Sequence, residues 1–148
     1  MCEDISRKFV FSTTETVRNR FPTHSTELIM DRSEAATSEA YWVVYQPGEA
    51  SPLHVHYDME QIFYVLRGVG ELRVGHEGKR PVPVAAGNLV RIPPGTHHRV
   101  LCQGSEPLVY LNVGCFVAGK PVDEPTWETH LRTVCKENGW DFEATRNG

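Results

Sequence analysis

From Thr26 onward, apolar and polar positions alternate in short runs that are broken every few residues by Gly, Pro, Asn or Asp. That period of two, bounded by turn residues, predicts strands. The expected strands are Thr26–Arg32 and Ala40–Gln46, on either side of the polar turn SEAATSE, followed by Leu53–His56, Gln61–Arg67, Glu71–Val74, Pro81–Val84, Leu89–Ile92, His97–Leu101 and Leu108–Phe116. Two further β-prone pieces, Lys8–Phe11 and Thr16–Phe21, fall in a polar and interrupted N-terminal arm. Many short strands at this spacing indicate an all-β antiparallel sandwich or barrel. One segment breaks the rhythm. Trp127, Leu131, Val134 and Cys135 recur at helical spacing, Pro125 suits a first turn and Gly139 a stop. A helix is therefore expected over Pro125–Glu137, its apolar stripe lying on the barrel and His130 on its surface.

With 148 residues and no internal repeat, one domain is expected: an arm over 1–25, a barrel over 26–118 and a helical tail over 119–148. A net charge of −4 offers no basic footprint, which argues against nucleic acid as a partner. No apolar run is long enough to cross a bilayer, and MCEDISRKFV lacks the apolar core of a signal peptide, so a cytoplasmic address is expected. Cys2, Cys102, Cys115 and Cys135 are scattered without a CxxC pair, which fits reduced thiols.

The chemistry concentrates in PGEASPLHVHYDMEQIFYVLRGVG and GNLVRIPPGTHHRVLC. On an extended chain His54 and His56 leave the same face about 7 Å apart at Cα, so two imidazoles can converge on one ion. The second stretch adds a histidine just after a Pro–Gly turn. His97 should face outward by alternation, and His24 and His76 have no convergent partner in the sequence.

These two stretches resemble the split motifs of the cupin family. The first runs Gly48, five residues, His54–Val55–His56, four residues, Gln61, six residues, Gly68. The second runs Gly87, five residues, Pro93–Pro94–Gly95, two residues, His98, three residues, Cys102. The resemblance covers Gly48 to Cys102 and implies an antiparallel double-sheet (jelly-roll) barrel, here with a short C-terminal helix. It also implies one divalent metal ion held by His54, His56 and His98, with the fourth position at Gln61. Two positions depart from the pattern. Cys102 stands where the family has a supporting asparagine, and Gln61 where it has a glutamate, with Glu60 just before it as the alternative ligand. Alternation favours Gln61, which shares a face with Phe63 and Val65 and turns Glu60 away. Phe63, Val100 and Cys102 are candidate pocket-lining residues. The pattern leaves the direction of Tyr41, Trp42, Tyr45, Tyr110 and Asn112 open.

Three imidazoles and an amide leave a divalent ion its full double charge, where a glutamate would cancel half. That ligand set is similar to the one in small cupins acting on unsaturated uronates. The leading expectation is a metal-dependent isomerase or lyase acting on a small oxygenated acid or sugar derivative through Lewis-acid stabilisation of an enolate. A dioxygenase is the alternative, and a non-catalytic small-molecule-binding barrel the third reading. The donor set accepts zinc, nickel, iron, manganese or copper. The general acid–base residue is unassigned, with Glu60 and Tyr57 as candidates if the loop turns them inward. Ile62, Tyr64 and Leu66 form a second apolar face on Gln61–Arg67 that needs cover from the arm, the helix or a second copy, and a homodimer is the expected solution.

Overall fold

In the computed structural model, which describes residues 8–146, nine strands form two antiparallel sheets that close on a shared interior. Cys2 and the first seven residues of the expected arm lie outside the described residues. The strands are β1 (Val17–Arg20), β2 (Ser25–Met30), β3 (Ser38–Tyr45), β4 (Met59–Arg67), β5 (Val69–Val74), β6 (Arg80–Ala85), β7 (Leu89–Ile92), β8 (His98–Cys102) and β9 (Leu108–Phe116). The larger sheet runs β1-β2-β3-β9-β4-β7 and the smaller β6-β5-β8. This is the all-β double-sheet barrel that the sequence predicts.

Alternation decides what faces the interior. Glu39, Tyr41, Val43 and Tyr45 point inward from β3, and Met59, Gln61, Phe63 and Val65 do so from β4. His98, Val100 and Cys102 point inward from β8, and Tyr110 and Asn112 from β9. The intervening residues, Trp42, Glu60, Ile62 and Tyr64, form the outer face. Gly68 holds β4 to β5 with φ +92°, and a Cβ there would collide with the Pro107 carbonyl, so the motif needs glycine at this point.

Two expected strands are absent. Lys8–Phe11 is irregular, and Phe9 and Val10 are exposed, so β-prone residues without a strand partner gain nothing by extending. Leu53–His56 is not a regular strand either. It is stitched to β8 by single bridges at Ala50–Leu101 and His54–His98, because Pro52 has no N–H to continue a ladder.

The helix α1 spans Trp127–Asn138. Pro125 precedes it rather than opening its first turn, and Thr126 is the cap, its side chain accepting from the Thr129 N–H while Thr129 returns a bond to the Thr126 N–H. Gly139 ends it in the left-handed conformation, φ +71°. A second short helix, α2 (Phe142–Thr145), was not anticipated; Thr145 accepts a 2.9 Å bond from Asn19 and so ties the tail to β1. Trp127, Leu131, Cys135 and Phe142 enter the main core, with the Trp127 ring 4.3 Å from that of Tyr41. The helix therefore closes one end of the barrel and leaves the outer sheet face open.

Candidate metal centre

His54 is held by two backbone hydrogen bonds to His98, of 3.0 and 2.9 Å. The His56 carbonyl accepts from the Gly95 N–H at 2.8 Å, so the Pro93–Pro94–Gly95 turn positions the second histidine as well as the third. Gly95 adopts φ +78° to make that approach. Three imidazoles result, with ring centroids 5.0 Å (His54–His56), 4.2 Å (His54–His98) and 5.8 Å (His56–His98) apart. One nitrogen from each lies within 4.8 Å of the others, and among the described residues no other group of three such side chains converges this way.

The protonation pattern suits a cation. His54 Nδ1 lies 2.8 Å from the Pro52 carbonyl and His98 Nδ1 2.8 Å from the Thr96 carbonyl. A carbonyl can only accept, so each Nδ1 carries the proton and each Nε2 keeps its lone pair. Burial, together with the neighbouring imidazoles, holds His98 down at about 4 and His56 well below the usual histidine range; burial also lowers His54. All three are thus neutral at neutral pH, the state that metal ligation requires.

Gln61 lies on the wall of the same cavity. Its Nε2 donates to Asn112 Oδ1 at 3.1 Å, while its Oε1 is buried without a hydrogen-bond partner. A buried acceptor left unpaired is costly, and a cation would satisfy it. The residues present therefore fit a single divalent ion: three neutral nitrogens, with an orphaned oxygen oriented by its own amide partner. Glu60 is elsewhere. It points outward and receives a 2.7 Å bond from Arg91.

The cavity measures about 740 Å³. Phe63 and Val100 line it, as do Tyr41, Tyr45 and Tyr110, whereas Trp42 faces outward. Cys102 is off its wall, buried with its thiol donating to the Glu106 carbonyl at 3.4 Å. Tyr57 is on the rim and exposed. His97 turns outward against His76, their rings 4.5 Å apart.

Two histidines expected elsewhere also reach this cavity. His130 is not a surface residue; its side chain is 18% exposed, stands over Trp127 and bonds Glu124. The signal was present, since His130 falls between Trp127 and Leu131 on the apolar stripe of α1. His24 stacks on Tyr45 at 5.2 Å, a contact made only by the folded chain. Burial first, then the charges of His54 and Arg20, lower its pKa from the ordinary 6.5 to about 4.

A pH effect follows for His24. Between pH 6.5 and about 4 the unfolded chain takes up a proton at His24 that the folded chain refuses. Its contribution to stability is complete above the unfolded value and is lost as pH falls through this window. Urea midpoints should therefore drop from pH 7 to pH 4.5, and His24→Phe, which keeps a ring against Tyr45, should flatten part of the fall. An identical pH slope in the variant would show that His24 is solvated.

The fold and site define a class of small antiparallel double-sheet barrels with three converging histidines that could hold a metal ion. The sequence model of the cupin domain matches residues 41–114, half of the chain, and the chain belongs to the cupin family. It is 36% identical over 64 residues to an uncharacterized protein of Methanocaldococcus jannaschii, covering 43% of this chain and 49% of that protein. The chain thus spans about half the length of the curated relative it matches. Among solved structures, a predicted oxalate decarboxylase of Thermotoga maritima superposes with a TM-score of 0.65 at 22% identity, covering 74% of this chain and all of the other. The polyketide cyclase RemF of Streptomyces resistomycificus gives 0.62 at 23% identity, covering 78% and 84%. At these identities the likeness is one of fold.

Proposed function

We propose that this protein is a metal-dependent enzyme of isomerase or lyase type, acting on an oxygenated acid or sugar derivative. The observation that carries the reading is the unpartnered Gln61 Oε1 in the same cavity as three neutral imidazoles. His54, His56 and His98 would hold the ion, with Gln61 as the fourth donor. When bound, a divalent ion supplies a Lewis acid that polarises a carbonyl and favours negative charge on its oxygen. The chain's own part is to supply neutral donors, so that anionic substrates meet an undiminished positive charge. Tyr41, Phe63 and Trp127 confine the substrate and limit water around it.

The test combines metal analysis of protein purified without added metal, an oxygen-uptake assay, and NMR detection of deuterium incorporation next to the carbonyl in a panel of hydroxy acids, keto acids and aldoses in D2O. Bound zinc or nickel with carbon-bound proton exchange and no oxygen consumption is expected. Oxygen consumption would replace this reading with a dioxygenase. Gln61→Ala should lower metal affinity on the order of tenfold to a hundredfold, while Glu60→Ala should leave metal content unchanged. The reverse pattern would transfer the fourth position to Glu60.

The assembly is proposed to be a homodimer. Tyr64 and Leu66 are 45% and 49% exposed on the outer face of β4, and Leu89, paired with Tyr64 across β7, is 71% exposed. The helix packs elsewhere and the described arm meets the outer face at Trp42, whose Nε1 donates to the Thr13 carbonyl; a second copy is the proposed cover for Tyr64, Leu66 and Leu89. Light scattering at micromolar concentration should give twice the chain mass; a monomer would refute it.

A further inference from the structure

We propose that His130, held in place by Glu124, is the proton-transferring residue of this centre, presenting its Nε2 to a substrate bound at His54, His56 and His98. The proposal rests on the metal-dependent reading above and supplies the acid–base group that the two sequence motifs lack. His130 projects from α1 into the cavity that the three histidines line. Its Nδ1 lies 2.9 Å from Glu124 Oε1. A carboxylate accepts, so Nδ1 carries the proton and Nε2 is left bare, which is the form of a general base. Glu124 is itself fixed, because Arg32 Nη1 donates to its carbonyl at 3.1 Å and stands 3.6 Å from its Oε1.

The facing groups support this assignment. Around the His130–Glu124 pair stand Arg32, Trp127 and Thr133, and His130 shares its cavity with His54 and His56. Trp127, one turn earlier on α1 and in ring contact with His130 at 5.5 Å, carries a second sign of a missing ligand. Its Nε1–H is buried without an acceptor, on the wall of the same cavity. A substrate oxygen at that point would satisfy the indole while its reacting carbon faced His130.

In the step itself, the C–H bond next to a carbonyl breaks and its electron pair moves to the carbonyl oxygen. The proton goes to His130 Nε2. Where that carbon bears a hydroxyl, the O–H proton passes to the former carbonyl oxygen, and delivery of the imidazolium proton to the former carbonyl carbon then completes an isomerisation and returns the imidazole to its neutral form. Glu124 is a positioning residue: it selects the tautomer and stabilises the charged ring.

The experiment uses His130→Gln, His130→Ala and Glu124→Gln beside the wild type, each loaded with zinc. The probe is acetohydroxamate, a planar chelating mimic of an enediolate. Zinc content should be equal in all four proteins. Calorimetry should show acetohydroxamate binding weakened on the order of tenfold to a hundredfold in His130→Gln, and partly restored in His130→Ala by added imidazole. Nitrogen-15 NMR of the metal-free wild type should show His130 as the Nδ1–H tautomer, with a tautomer mixture in Glu124→Gln. Equal acetohydroxamate affinity in wild type and His130→Gln, or an Nε2–H tautomer in the wild type, overturns the dyad and leaves the metal reading standing. Wild type that takes up no zinc, or that binds no acetohydroxamate when loaded, overturns both.

Discussion

Replacement of His98 by alanine is expected to abolish stoichiometric metal binding while the barrel stays folded. His98 is the most enclosed of the three imidazoles at 2% exposure, and its ring lies 4.2 Å from that of His54 and 5.8 Å from that of His56. Its Nδ1–H is fixed to the Thr96 carbonyl, so the bare Nε2 needs no reorganisation to ligate. Loss of one of three preorganised nitrogens should lower affinity at least on the order of a hundredfold, the upper range for residues that merely support ligands. Plasma mass spectrometry of protein purified without added metal, followed by zinc titration, reads the effect directly. Chelator should also lower the melting temperature of the wild type and leave the variant's unchanged, because an ion that binds only the folded state stabilises it. Full metal occupancy in His98→Ala would remove the basis of the proposed function.

The second large effect concerns stability and lies at the foot of the helix. Arg32 is 1% exposed, and its Nε and Nη2 donate to the two oxygens of Glu39 at 2.7 and 3.1 Å. Its third nitrogen holds the Glu124 carbonyl, and its guanidinium lies 5.0 Å from the Phe116 ring. Arg32→Ala strands the Glu39 carboxylate in the interior, which should cost about 3–5 kcal/mol. Because Glu124 loses its anchor as well, the segment leading into α1 should loosen first. The double variant Arg32→Met, Glu39→Leu should recover most of that loss, since a buried pair replaced by apolar groups of similar size is often neutral. Chemical denaturation of the single and double variants measures both. A single-variant loss below about 1 kcal/mol would mean that water reaches this pair.

Trp42 and Tyr41 illustrate how far local pattern reaches. Strand alternation in AYWVVY guarantees that they face opposite sides, yet nothing in the pattern says which side is the interior. The pairing of Tyr41 with Asn112 and of Trp42 with Leu111 across β3 and β9 decides it. Gln61 and Glu60 were separable earlier, because Phe63 and Val65 share a face with Gln61 and supply the apolar reference that parity needs. The residues of Leu53–His56 favour extended structure and so predict a strand, yet the segment makes only an isolated bridge at His54. Whether an extended segment joins a ladder depends on N–H groups, which Pro52 lacks.

The sequence by itself determined the barrel class and the opposite facing of Gln61 and Glu60, and its likeness to the cupin motifs pointed to His54, His56 and His98. The first two follow from short-range rules, period-two alternation and glycine at a turn that excludes a Cβ, whereas His98 meets His54 and His56 only through a long-range bridge between β8 and the segment before β4. Only the tertiary structure decided where α1 comes to rest. That placement turned His130 from an expected surface residue into part of the cavity that the three histidines line, and brought Glu124, Arg32 and Trp127 to the same cavity. The physical reason is that burial of the helix's apolar stripe is non-directional. Hydrophobicity at Trp127 and Leu131 requires that the stripe be covered, and only the assembled barrel, with Tyr41 and Asp31 as contacts for Trp127, specifies which end of it the helix covers.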